Sequence, residues 1–426
     1  MQKYIFSFFL FVFSFTLSAQ DLKRVQKTLD TLCHETFFGR GYLQQGDKKA
    51  SQYLAQRFKE VGVKPFQETY FQPFEMAINT FPETPTLQIG KTKLMIGKDF
   101  IINALSSSGF GSGKIYQLDE RIFTENKNQS SNEFLGQFLN TNLRDKVLVF
   151  DGDLESKFSE MPRSFFKKMA EAKAHIKLKT KLTASVATQC YPDFYPPIFE
   201  VLRTKFPKKV QKIIFSVRSE FISNYGSQNV IGYLDGTRHS DSVLVITAHY
   251  DHLGGQGKTV YFAGANDNAS GVSMLLEFAE YYKKNPLKYK VVFLLFGAEE
   301  AGLIGSKFYT ENPIFPLSNI KFLVNLDLVG TGDEGATVVN ASIHQKEFKI
   351  LTKINENQQL LPKIQMRGRA ANSDHYFFSQ QGVPAFFIYT LGGIQAYHDI
   401  YDQSGTLPLT KYTELFQLIR QFLEQL

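Results

Sequence analysis

The chain has 426 residues, of which 43% are hydrophobic and 21% charged. These are the proportions of an ordinary globular protein, long enough for one large domain plus a smaller one. The formal net charge is +7, but its densest stretch, Lys167, Lys168, Lys173, Lys177, Lys179 and Lys181, lacks the interleaved aromatics and glycines of a nucleic-acid reader. That stretch is expected to be a solvated helix face. Neither Cys33 nor Cys190 stands in a metal-knuckle spacing. A disulfide between them is permitted in an oxidising compartment, and two buried thiols are the other reading.

The chain opens Met1-Gln2-Lys3, runs apolar over 4–17, and continues Ser18-Ala19-Gln20-Asp21. A charged start, a short apolar run and small residues before a polar one form the secretory signal pattern. The run falls short of the roughly 20 residues of a membrane span. Residues 1–19 are therefore expected to be a signal peptide cleaved near Ala19. The mature chain is expected to be secreted or periplasmic, without stable membrane insertion. A helical pattern follows, then Phe38-Gly39-Arg40-Gly41, then a second helix over 48–61 with the period Ala50, Tyr53, Leu54, Phe58, Val61 and a Gly62 cap.

Over 74–210 the texture changes to short alternating strands, such as Leu87-Gln88-Ile89 and Lys93-Leu94-Met95-Ile96. The Ser/Gly-rich residues 106–113 are expected to be a loop, and Lys146-Val147-Leu148-Val149-Phe150 a buried strand. The segment is expected to be an inserted, mainly β subdomain, dividing the main domain into 20–73 and 211–426.

Within 211–426 three apolar runs stand out: Val243-Leu244-Val245-Ile246-Thr247, Val291-Val292-Phe293-Leu294-Leu295-Phe296 and Phe322-Leu323-Val324. Continuous rather than alternating runs indicate strands covered on both faces. Amphipathic helices over 272–284, 302–310 and 411–426 complete an α/β pattern, a mostly parallel sheet sandwiched by helices. Acidic and histidine residues sit directly after these strands: His249, Asp251 and His252, then Glu299 and Glu300, then Asp327. Ligands of open α/β sheets bind at the carboxyl ends of the strands.

Residues 264–271 form a small-residue loop carrying Asp267, and Tyr397-His398 lies in a loop after the apolar run 384–389. Imidazole and carboxylate ligands without thiolate suit a catalytic zinc, and a two-metal centre needs a shared carboxylate. One metal is expected on His249, Asp267 and Asp327, the other on Asp267, Glu300 and His398. Glu299 is the expected general base. Asp251 is the expected carboxylate fixing the His249 tautomer, and Tyr397 the expected donor to a developing oxyanion. His34, His175, His239 and His344 lie outside this set, and Arg369 is expected to be an ordinary surface residue.

The strings Ala248-His249-Tyr250-Asp251-His252-Leu253-Gly254, 264–271, Gly297-Ala298-Glu299-Glu300, Asn325-Leu326-Asp327 and Tyr397-His398 together resemble the motif set of the co-catalytic di-zinc aminopeptidases. That family also includes glutaminyl cyclases, glutamate carboxypeptidase and the transferrin receptor. Ser373-Asp374-His375 resembles a further element near the family's active site. The resemblance implies a three-layer α/β/α sandwich with a mixed, mostly parallel sheet, and an insert similar to a protease-associated domain. It implies two zinc ions per chain and hydrolysis of N-terminal residues from peptide substrates through a metal-bridging hydroxide. A glutaminyl cyclase or a non-catalytic binding protein on the same scaffold are the alternatives. The cyclases generally stack substrate on tryptophans, and this chain has none.

Overall fold

The computed structural model describes residues 20–123, 133–207 and 211–426. The expected signal peptide, 1–19, lies outside the described residues. Among the described residues no helix is long and apolar enough to cross a membrane.

Two eight-stranded mixed sheets organise the chain. The main sheet runs in the order Phe71–Thr80, Glu220–Leu234, Lys290–Phe296, Val243–His249, Ile320–Leu326, Ala385–Leu391, Gly335–Val339, Ile364–Met366. The strands from Lys290–Phe296 through Ala385–Leu391 are mutually parallel. Antiparallel pairing follows on both sides, through Glu220–Leu234 and Phe71–Thr80 on one flank and Gly335–Val339 on the other, where Ile364–Met366 adds a parallel edge strand.

Both faces of this sheet are covered, which is why its central strands read as unbroken apolar runs. Leu244, Ile246 and Ala248 point into a core shared with Leu22–Leu32, Gly46–Val61, Ser270–Lys284, Gln345–Gln358 and Tyr412–Glu424. Val243 and Val245 point the other way, toward Tyr309 of Ile304–Glu311 and Phe378 of His375–Gln380. The result is the three-layer α/β/α arrangement.

The two sheets divide at residues other than 74 and 210. Phe71–Thr80 pairs with Glu220–Leu234 in the main sheet, whereas Lys212–Val217 belongs to the second sheet. The alternating pattern of these strands does not say which sheet supplies their partners; pairing does. Nor is 106–113 wholly a loop, since Gly109–Gln117 pairs on both sides. In the second sheet Gly109–Gln117, Lys146–Asp151, Ala174–Lys179 and Ile198–Leu202 are parallel neighbours. The helices Glu133–Asn140 and Arg163–Met169 pack on one face through Phe138 and Phe165.

The lysine-rich stretch is not one helix face. Lys167 and Lys168 end a helix, but Lys177 lies in a strand, nearly buried, 2.6 Å from Glu155. Lys181 reaches across to the main domain. Cys33 and Cys190 are free thiols.

Candidate metal centre

Parallel register brings the acidic groups together. His249 pairs with Phe296, so 297–300 leave the sheet beside it. Thr247 pairs with Asn325, so Asp327 comes level with His249 two residues on. Left-handed backbone occurs at Ala298, Leu328 and His398, each at or next to a site residue. Such conformations cost about 1–3 kcal/mol and persist where surrounding contacts over-determine them.

The Asp267 loop is held by its neighbours. Asp402 accepts from the main-chain N–H of Asn266 and of Asp267 at 2.8 and 3.1 Å. Asn268 donates to Leu326 O and accepts from Gly271 N, tying the loop to the strand that ends at Asp327. Gly264 adopts φ +62°, and a Cβ there would overlap Asp267 O and the His252 ring. Arg40, fully buried, donates five hydrogen bonds to main-chain carbonyls, those of Leu32, Tyr250, Ala263, Gly264 and Asp267. It thereby joins the His249 turn to the Asp267 loop.

Asp267 stands between two half-sites. Its Oδ1 is 3.3 Å from His249 Nε2, and its Oδ2 is 3.0 Å from His398 Nε2. Asp327 Oδ1 is 3.3 Å from His249 Nε2, and Glu300 Oε2 is 3.2 Å from His398 Nε2. The groups His249, Asp267, Asp327 and His252, Asp267, Glu300 each converge closely enough to hold a metal ion. His249 Nε2 and Asp327 Oδ1 are buried and make no aligned hydrogen bond. A buried orphan nitrogen beside a buried orphan carboxylate oxygen is costly unless a cation lies between them. Nitrogen and oxygen donors of this kind fit zinc.

The pKa values reflect the same crowding. Burial pushes Glu299 well above the usual carboxylate range; His249 opposes this, while Asp374, Glu300 and Asp327 add to it. Burial alone would raise Asp267, but the His249 imidazole beside it and the hydrogen bond with His398 hold it well below the usual range. Burial disfavours charge on His398, and Glu300 and Asp267 outweigh it, raising that imidazole.

Three residues occupy places other than those expected, or were not foreseen. Asp251 does not fix the His249 tautomer through its carboxylate, which is 3.8 Å away. Its main-chain oxygen accepts from Nδ1 at 3.1 Å instead. The carboxylate is occupied by the N–H groups of Glu299 and Glu300 and by the Tyr42 hydroxyl. His252, noted only for its place in the sequence, has Nδ1 2.6 Å from Glu300 Oε1 and so orients that carboxylate. Asp402 shows no sequence signal beyond its loop.

Tyr397 is 43% exposed and stacks on the His398 ring at 3.9 Å. Ser373 donates to Asp327 Oδ2 at 2.9 Å, and Asp374 lies buried near Glu299. His375 and Arg369 line a separate cavity. His175 is buried in the second sheet.

Residues 229–423 match the model of peptidase family M28. That segment of the chain is similar to the family's peptidase domain. Among curated proteins it is 31% identical over 175 residues to Aminopeptidase YwaD of Bacillus subtilis (strain 168), covering 39% of this chain and 36% of that protein. It is 24% identical over 205 residues to a Vacuolar membrane protease of Candida glabrata, covering 47% of this chain and 20% of that protein. The chain thus spans about a third or less of these curated relatives.

Over nearly its whole length it shares a fold with solved structures. The aminopeptidase from Aneurinibacillus sp. strain AM-1 superposes with a TM-score of 0.64 at 20% identity, over 96% of this chain and 94% of that one. BSAP, a zinc aminopeptidase from Bacillus subtilis, superposes with a TM-score of 0.68 at 18% identity, over 95% and 94%. The M28 match begins inside Glu220–Leu234 and contains His249, Asp267, Glu300, Asp327 and His398.

Proposed function

We propose that this chain is an exported zinc aminopeptidase of the M28 family that hydrolyses the N-terminal residue from peptides. The observation that carries the reading is Asp267, whose two oxygens face His249 on one side and His398 on the other. On this reading one zinc is held by His249, Asp267 and Asp327, the other by Asp267, Glu300 and His398. Zinc bound there would polarise the scissile carbonyl and lower the pKa of a bound water from 15.7 to about 7.

The remaining roles belong to side chains. Glu299, with its raised proton affinity, accepts the proton of the attacking water and returns it to the leaving amine. Asp251 holds the Glu299-Glu300 turn by its main-chain N–H groups. Tyr397, whose phenol is raised above its ordinary value by partial burial and by the neighbouring carboxylates and so stays protonated, donates to the carbonyl oxygen as negative charge develops there.

The site residues line a cavity of about 220 Å³ whose other walls are Leu328, Asn372, Phe387, Tyr389 and Tyr397. Neither Lys nor Arg is among its described lining residues, so it offers carboxylates to a free α-ammonium and nothing cationic to a C-terminal carboxylate. This favours aminopeptidase over carboxypeptidase action. The apolar and aromatic walls favour an apolar first side chain. Export rests on the sequence pattern of residues 1–19.

The test is a panel of aminoacyl and N-acetyl-aminoacyl chromogenic substrates, with and without chelator. Chelator-sensitive cleavage of free-amine substrates alone, led by leucyl and phenylalanyl compounds, is the expected result. Equal cleavage of acetylated substrates, or none by zinc-loaded protein, would overturn the reading.

A further inference from the structure

The second sheet does not carry the metal-site residues, yet one of its connections touches them. After Ala174–Lys179 the chain crosses to the main domain. Ala184 N donates to His398 O at 2.8 Å, and His398 Nδ1 donates to Ala184 O at 3.0 Å. That pair protonates Nδ1 and leaves Nε2 to face Asp267 and Glu300. Leu182 and Ala184 are buried against Leu253 and Phe262 of the main domain, with Ile400 packed alongside.

Three residues before Ala184, Lys181 donates to Gln395 O at 2.7 Å. Its ammonium also stands 3.3 Å from Asp399, whose side chain is only 9% exposed. Asp399 in turn accepts from the main-chain N–H of Tyr397 and of Tyr401. The His398 loop is therefore held from inside by Asp399 and from the insert by Lys181 and Ala184. An exposed ion pair alone contributes about 0–1 kcal/mol. Here the lysine also satisfies a loop carbonyl, and the loop presents a residue in left-handed conformation, φ +54° for His398.

We propose that Lys181 of the insert is a positioning residue for His398, and that it sets the zinc affinity of the Asp267–Glu300–His398 half-site without contacting the ion. The inference rests on the two-zinc reading above. It makes the insert a structural part of the metal centre. Groups that orient a metal ligand typically alter affinity by 10- to 100-fold when removed.

The experiment is a zinc titration of the metal-stripped full chain against a competing chelator, for the wild type, Lys181→Met, Lys181→Arg and Lys98→Met. Lys98 lines the same junction cavity as Lys181 and Asp399 and serves as the charge control. The expected result is two uptake steps in the wild type, of which Lys181→Met weakens one by about tenfold and leaves the other unchanged. Lys181→Arg should restore most of the loss, and Lys98→Met should titrate as wild type. A Lys181→Met chain that titrates as wild type, or loses both steps equally, overturns the proposal. So does an equal loss in Lys98→Met. The readout is independent of turnover: a wild type with two uptake steps and no peptide hydrolysis overturns the aminopeptidase reading and leaves this proposal to the Lys181 result.

Discussion

The two sheets have the same number of strands and a similar parallel centre, yet only one ends in a candidate active site. The second sheet also presents strand carboxyl ends. There Asp151 is 37% exposed and pairs with Arg203 at 2.6 Å. A solvated carboxylate matched by a guanidinium is electrostatically quiet. At the ends of the main sheet Asp267, Glu299, Glu300 and Asp327 crowd around three histidines with no Lys or Arg among the described residues lining their cavity. The topology supplies a place for chemistry in both sheets. What distinguishes them is whether buried charges are left without a partner that only a cation can supply.

The sharpest way to break this comparison is Asp267→Ala. Both half-sites use this residue, so metal content should fall below one ion per chain and turnover by about a thousandfold or more. Elemental analysis of the purified variant checks this; two tightly held ions would remove the bridging role. Glu299→Gln should separate binding from chemistry. Metal content and KM should stay near wild type while kcat drops by about 10²–10⁴. Unchanged kcat would remove Glu299 as the base.

The smallest effect lies in the second sheet. Burial holds the His175 imidazole down at about 4, against an ordinary value of 6.5. The unfolded chain therefore takes up the proton first as pH falls. The stability of this neutral histidine is present above about pH 6.5 and lost progressively down to about pH 4, a difference on the order of 3 kcal/mol. Thermal melts of His175→Asn should lose that acid dependence in the insert. An unaltered pH profile of melting would show that the acid sensitivity comes from elsewhere.

Much of the main domain could be read in advance because its strands are buried on both faces, and a doubly covered strand announces itself as an apolar run. The residues after those runs then had one place to go, the carboxyl edge of the sheet. His249, Glu300 and Asp327 stood out as candidate ligands for that reason, and Asp267 and His398 as candidates through their loops and the motif resemblance. The domain boundaries were not, because Phe71–Thr80 and Lys212–Val217 differ in their pairing partners and not in their texture. Arg40, His252 and Asp402 escaped for a related reason. Each acts on groups far away in sequence, and no local period or spacing marks a side chain whose partners are distant main-chain or carboxylate atoms.

By itself, the sequence determined the α/β class, the order of the strands that end in acids and histidines, and the pairing of a candidate base with a candidate ligand at Glu299-Glu300. Only the tertiary structure decided that Asp251 holds the glutamate turn, that Arg40 binds two loops through carbonyls, and that the insert reaches His398 through Lys181 and Ala184. Burial and periodicity are written along the chain as local composition. The direction of a carboxylate or a lysine is set by which orphan donor or acceptor lies within about 3 Å of it once the chain has folded.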